Sequence, residues 1–467
     1  MKEYDLISIG TGSAMSIVTQ ALNEYPHLDI AVVENEKPGG ICLTRGCIPS
    51  KMLLYPAEVV NKIKEADIFG IDAEVNSVDF QQIMEKMRDH INPQSESIGD
   101  NLRNSSDLDF FENDAEFIDD HTLKVGDQKI KGKKIILGTG SRPAVPPIDG
   151  LEETGYLTSK NLLDIEELPK SVVIIGGGYI AAEYGYFLTM MGCKVIIIEM
   201  VNQFVPSEEK EISAVLEKKL SEHMEIHTGY EVTKVKEKSG DKWVLARSKN
   251  EKIRVKGEEI LVATGRRSNS DILKPEKSGV ETKNGGWIKV NRKMETTKEN
   301  IWALGDATGE HMFKHVANYE ARIVYENAIE GKESRADYHA VPHAIFTYPQ
   351  VASVGMKEKE ASKEHDILIG YYPFEDTAKG SAMGLKDYFV KVIVDSADYR
   401  ILGAHIVGPE ASVLIQEIVN LMYTKNQTFL PIYHGMHIHP SLSEVVERAF
   451  SNLHSHQHQH SHNHEHH

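Results

Sequence analysis

The chain has 467 residues, 40% of them hydrophobic, and a formal net charge of −18. That length exceeds one ordinary domain, and the composition fits a globular protein with large cores. The acidity excludes a general nucleic-acid binder, which needs clustered Lys and Arg against phosphates. No apolar run approaches the roughly 20 residues that span a bilayer. The N-terminus lacks a secretory pattern, so the expected setting is the cytoplasm, with no membrane or nucleic-acid partner.

Residues 1–35 read as strand, turn, helix, strand. Leu6–Ile9 is apolar, Gly10-Thr11-Gly12 is the turn, Met15–Leu22 is the helix, and Ile30–Val33 leads to Glu34. The acid follows the first glycine by about 24 residues, near the dinucleotide-binding template. Glycines let the backbone approach a pyrophosphate at a helix start, and the acid receives ribose hydroxyls. Gly10, Gly12 and Glu34 are therefore candidate nucleotide ligands. Met15 replaces the usual third glycine, so the helix is expected to stand farther from the sheet.

A polar helical stretch is predicted over about 52–105. Lys134-Ile135-Ile136-Leu137 then runs into Gly138-Thr139-Gly140, and Pro143, Pro146 and Pro147 mark a boundary near residue 148. The first pattern recurs at Val172–Ile175, Gly176-Gly177-Gly178, Tyr179-Ile180-Ala181 and Val195–Ile198, closed by Glu199. Ile260-Leu261-Val262-Ala263-Thr264-Gly265 repeats the strand and Thr-Gly turn. Two units, each with its own acid, imply two nucleotide sites, most simply FAD and NAD(H). Glu199 would repel a 2′-phosphate, and no cation occurs in Met200-Val201-Asn202-Gln203, so NAD(H) is expected over NADP(H). A further α/β segment starts near 341, with strands at Tyr388–Val394 and Ile401–Ile406.

Three cysteines are too few for a disulfide scaffold in a chain of this size. Cys193 precedes an apolar strand and reads as a core thiol. Cys42 and Cys47 lie within Gly39-Gly40-Ile41-Cys42-Leu43-Thr44-Arg45-Gly46-Cys47-Ile48-Pro49-Ser50-Lys51. In one regular helix this spacing puts the pair too far apart, since bridged Cα atoms sit about 4.4–6.8 Å apart. The backbone must bend, which Gly46 and Pro49 permit. Helix N-terminal amides, with Arg45 and Lys51, would favour a thiolate. The bland alternative is two buried small apolar side chains.

This segment resembles the redox-active motif of the flavoprotein disulfide reductases, which include dihydrolipoamide dehydrogenase and the glutathione, mycothione and mercuric reductases. The likeness extends in order to about residue 450, through Ile301-Trp302-Ala303-Leu304-Gly305-Asp306, His315-Val316-Ala317, Phe346–Gly355 and His437–Glu444. It implies an α/β fold with two Rossmann-like dinucleotide-binding domains, for FAD over 1–148 and NAD(P) over 149–270. A central region, 271–340, would complete the FAD site, and 341–453 would form a C-terminal α/β dimerisation domain. By resemblance, Cys47 faces the flavin and Cys42 is the interchange thiol. His439, oriented by Glu444, carries the proton across a homodimer interface. Lys51 lies beside the flavin, paired with Glu183, while Gly140, Asp306 and Ala317 line the FAD site. Gly176, Gly178, Ala181, Glu183, Glu199 and Gly265 would line the NAD site.

The implied activity is disulfide oxidoreduction of the dihydrolipoamide dehydrogenase type, on a small dithiol, a disulfide or a lipoyl group. The alternative substrate is a low-molecular-weight thiol disulfide of the mycothione or glutathione kind, to which the segment Phe313–Arg322 looks closer. Mercuric reduction is disfavoured because no cysteine follows Cys193. Residues 454–467, rich in His, are expected to be disordered. They could bind Ni, Zn or Cu adventitiously, or be a tag; no structural metal is expected. A metal-binding protein defined by that tail, or a flavin oxidase with idle cysteines, are the competing classes.

Overall fold

The computed structural model describes residues 1–455. The first unit runs β1 (Lys2–Ile9), α1 (Met15–Glu24), β2 (Ile30–Glu34), α2 (Gly40–Thr44), α3 (Cys47–Lys64), α4 (Phe80–Arg103), β3 (Asp109–Glu112), β4 (Ala115–Asp119), β5 (Thr122–Val125) and β6 (Gln128–Leu137). Its sheet has the order β3-β2-β1-β6-β5-β4, and Ile301–Ala303 joins it in parallel with β6. β1 is parallel to β2 and β6, with Leu6 opposite Ile30 and Lys134. Ile7, Ile9, Val33, Ile135 and Leu137 enter one core, and Leu6, Ile30, Val32 and Ile136 enter the other. Successive side chains point to opposite faces, so strands covered on both sides are apolar nearly throughout.

The second unit repeats the plan. Ser171–Ile175, Lys194–Glu199, Glu225–Thr228, Glu259–Val262 and Leu157–Thr158 form a parallel five-stranded sheet, with Tyr179–Met190 as the first crossover helix. In both units an antiparallel excursion precedes the strand that delivers the Thr-Gly turn; here it is Glu231–Lys238, Asp241–Arg247 and Lys252–Gly257. Ser141–Pro143 and Arg266–Ser268, which leave the two units, pair with each other. The chain then returns to the first unit, where helix Lys314–Ala328 packs on α1.

The C-terminal region forms a six-stranded antiparallel sheet from Pro342–Ile345, Gln350–Gly355, Ile367–Pro373, Phe389–Asp395, Ile401–Gly408 and Leu453–Ser455. Its central strands Phe389–Asp395 and Ile401–Gly408 are buried throughout. The architecture is thus α/β, with two Rossmann-like units and a third α/β layer. No helix among the described residues is long and apolar enough to cross a membrane.

Three local expectations change. The helical stretch over 52–105 is interrupted: a 3-10 turn ends at Gly70, whose φ is 71°, and α4 starts afresh with Asp79 accepting from the Gln82 amide. The tight helix–strand contact falls on Ala14, since a Cβ at Gly138 would lie 2.9 Å from that of Ala14. Met15 turns instead toward the core shared with Lys314–Ala328 and is half-buried there. The tail does not begin at 454, because His454 and Ser455 pair with Ile369 and Leu368. The rest of the His-rich tail, with its expected disorder and metal affinity, lies outside the described residues.

Candidate active site

The first glycine turn is shaped by close approach. Gly10 has φ 100°, and a Cβ there would lie 2.3 Å from the Gly138 carbonyl oxygen. A Cβ at Gly40 would fall 2.6 Å from the Gly12 Cα, so α2 can lie on the turn only without a side chain. Glu34 is fixed at the end of β2. It accepts from the Thr11 amide at 2.9 Å and hydroxyl at 2.6 Å, and from the Asn35 and Glu36 amides at 3.0 Å each. The second unit reproduces this arrangement. Gly176 has φ 106°, and Glu199 accepts from the Gly177 amide and, at 2.9 Å, from the Val201 amide. Gly178 caps the helix on which Ala181 is fully buried, and Gly265 follows the neighbouring strand.

A long cavity runs from Gly10, Gly12 and Glu34, past Gly140, Asp306 and Ala317, to Cys42, Cys47, Lys51 and Glu183. Every FAD-site residue expected from the sequence lines it. The donor set fits a dinucleotide: glycines at the start of α1, an acid at a strand end, and a second acid midway. Glu183 belongs to the cysteine end of this cavity, not to the second glycine turn.

The cysteine segment bends where expected. α2 ends at Thr44 and α3 begins at Cys47; Gly46 lies between, where a Cβ would approach the Ile41 carbonyl oxygen to 2.8 Å. The two sulfurs are unbridged and hydrogen-bonded to each other. That bond, from the Cys42 thiol, lowers Cys47 to about 6; the Lys51 charge adds to the effect, while burial and Glu183 oppose it. The same bond and burial push Cys42 up. Lys51 Nζ is held by Glu183 at 2.8 and 3.0 Å and lies 4.6 Å from the Phe346 ring centroid. Glu183 also accepts from the Phe346 amide at 3.0 Å.

Several groups in and behind the cavity wall escape sequence reasoning. Arg266 donates to Ser141 Oγ at 2.6 Å, and Ser141 Oγ donates to Asp306 at 2.5 Å. Glu320, fully buried, accepts from the Gly305 amide at 2.6 Å and the Tyr338 hydroxyl at 2.7 Å, and burial raises it to about 7. It thereby fixes the backbone just before Asp306. The one local signal for these groups is that Ser141 and Arg266 each follow a Thr-Gly turn.

His439 Nδ1 lies 2.9 Å from Glu444, which also accepts from the Ser441 amide at 3.0 Å. The His439 bond, then the Ser441 amide, hold the Glu444 carboxyl below its usual range. Within one chain this pair does not line the cysteine cavity, and the His439 side chain is 70% exposed. Cys193 is buried, as a core thiol should be.

The family model described as pyridine nucleotide-disulphide oxidoreductase matches residues 4–321, and that of its dimerisation domain matches 341–450. The chain is 33% identical to mycothione reductase of Mycobacterium tuberculosis over 466 residues, covering 97% of this chain and all of that protein. It is 31% identical to dihydrolipoyl dehydrogenase 3 of Haloarcula marismortui over 470 residues, covering 96% of each. The Cu(II) complex of the HOCl-induced flavoprotein disulfide reductase RclA from Escherichia coli superposes with a TM-score of 0.84 at 29% identity, covering 97% of this chain and 99% of that one. With both family models matched in order and the paired cysteines facing two dinucleotide folds, the chain belongs to the FAD-dependent pyridine nucleotide-disulphide oxidoreductases.

Proposed function

We propose that the protein is an NAD(H)-linked disulfide oxidoreductase of the dihydrolipoyl dehydrogenase type, working through Cys42 and Cys47. The observation that carries this reading is the placement of the hydrogen-bonded sulfurs and the Lys51–Glu183 pair at one end of the cavity that starts at Gly10 and Glu34. Gly10, Gly12, Glu34, Gly140, Asp306 and Ala317 hold FAD. Gly176, Gly178, Ala181, Glu199 and Gly265 hold NAD(H), with Glu183 at the meeting point. Bound there, the two dinucleotides would supply hydride-transfer and two-electron redox chemistry beside the sulfurs.

The chain's residues handle charge and protons. Lys51, oriented by Glu183, presents a fixed cation to the Cys47 side of the cavity. Cys47, at about 6, is a thiolate at neutral pH once the pair is reduced. The Cys42 thiol gives its proton to His439 of a second copy and attacks the substrate disulfide. A Cys42–substrate bond forms as the substrate S–S bond breaks, and the departing sulfur takes the proton from His439. Cys47 then attacks Cys42, restoring the internal disulfide and releasing the second substrate sulfur. In the opposite direction the same steps oxidise a dithiol. The homodimer this requires is supported by the apolar surface beside His439, where Met436 and Ile438 are 102% and 79% exposed.

A low-molecular-weight thiol disulfide is the second reading, favoured by the likeness to mycothione reductase. Steady-state turnover of lipoamide and of small disulfides, with each coenzyme, separates the two. NADH is expected to exceed NADPH, because Glu199 crowds a 2′-phosphate; the reverse order would overturn the coenzyme assignment. Cys42→Ser should abolish disulfide turnover and leave flavin reduction by NADH intact. Full disulfide turnover by that variant would end the proposal.

A further inference from the structure

Lys51 supplies the cation on the Cys47 side, and Glu183 balances its charge. A second lysine lines the same cavity, with its ammonium at the glycine turn. Lys314 opens the helix Lys314–Ala328 and lines the same cavity as Cys42. Its ammonium donates to Ser13 Oγ at 2.9 Å, and Ser13 Oγ donates to Asn318 Oδ1 at 2.9 Å. Asn318 lies one turn along the helix from Lys314, so this bridge fixes the lysine to its own helix and to the glycine turn. Among the described residues Lys314 pairs with no carboxylate, so its charge is left for the cavity.

We propose that Lys314 is the positioning cation of the substrate-facing sulfur, the counter-ion that holds Cys42 as a thiolate when it attacks a disulfide. The inference rests on the disulfide-exchange reading above. The step involves no further reactant: the Cys42 proton passes to His439 of a second copy, the sulfur keeps the electron pair, and Lys314 exchanges no proton with it. The groups acting on Cys42 are Cys47 from α3 and Lys314 from its helix, while Lys51 and Glu183 act on Cys47. Hydrogen bonding to Cys47 and burial push the Cys42 thiol up; Lys314 opposes both. One lysine for each sulfur would let the pair reverse roles during turnover, since each anion in turn has a fixed partner.

The test uses flavin-loaded holoenzyme, reduced with NADH, as wild type, Lys314→Met, Lys314→Gln and Lys314→Arg. Alkylation of Cys42 by iodoacetamide is followed by peptide mapping across a pH series, and bound flavin per chain is measured beside it. The two neutral variants should raise the alkylation midpoint by about one pH unit, the low end for loss of a nearby opposite charge. Arginine should restore it, and flavin content should not change. An unchanged midpoint at full flavin content overturns the proposal. Loss of flavin, with a wild-type midpoint in the fraction that keeps it, also overturns it and assigns Lys314 to the cofactor phosphates near Ser13. If the wild-type chain gains no alkylatable pair at Cys42 and Cys47 on reduction, the failure lies with the disulfide reading itself.

Discussion

Cys42 and Cys47 carry the same side chain and are driven in opposite directions, because one donates the hydrogen bond that the other accepts. Only one of them is an anion in the resting reduced pair, and the Lys51 charge favours Cys47. The two-electron-reduced holoenzyme is therefore expected to show a long-wavelength thiolate-to-flavin band above about pH 6 that fades as pH falls through that value. Lys51→Met should move the midpoint upward, and a visible-absorbance pH titration of both proteins checks it. The cysteine pair and the Lys51–Glu183 contact were legible in sequence as motif positions. The Arg266–Ser141–Asp306 chain was not: its bonds span 125 and 165 residues, and no local pattern announces contacts of that range.

At the scale of elements, the redox segment works because it is two helices. Had α2 run on into α3, five residues of rise would have separated the sulfurs beyond bonding reach. The break costs a glycine, since a Cβ at position 46 would press on the Ile41 carbonyl at 2.8 Å. Gly46→Val should lower stability by about 1–3 kcal/mol through overpacking. It should also slow disulfide turnover more than flavin reduction by NADH. Urea unfolding and the two steady-state rates measure these effects. The bend could be read from the cysteine spacing, but the break at Gly70–Asp79 could not. That one depends on a left-handed glycine and a side-chain cap within a polar stretch whose composition suits a helix throughout.

Across the whole molecule, a buried polar cluster joins the second nucleotide unit to the C-terminal sheet. Glu208, 2% exposed, lies 2.6 Å from both His343 Nε2 and Ser353 Oγ. Ser353 meets the buried His405 at 3.1 Å, and burial takes that imidazole down to about 4. Burial alone would raise the Glu208 carboxyl, but the hydrogen bond and charge of His343, with the Ser353 bond, bring it to about 2. A folded-state value below the ordinary 4.5 stabilises the fold above that pH, and the stabilisation is lost as pH falls toward 2. Glu208→Ala should cost about 3 kcal/mol near neutral pH, the cost of stranding one partner of a buried pair. It should also flatten the acid dependence. Denaturant unfolding of both proteins across that interval reads both effects.

The duplicated βαβ pattern, the acids that end Ile30–Glu34 and Lys194–Glu199, the cysteine spacing and the apolar strands were all decided by local order. Periodicity, turn chemistry and helix starts act over a few residues, so they are written in consecutive letters. Long-range folding decided the rest. It returned Ile301–Ala303 to the first sheet and brought Lys314 from its helix to the turn at Ser13. It also left His439 exposed, away from the sulfurs of its own chain. Contacts of this kind depend on how finished layers pack, and close packing couples residues with no neighbourhood in sequence.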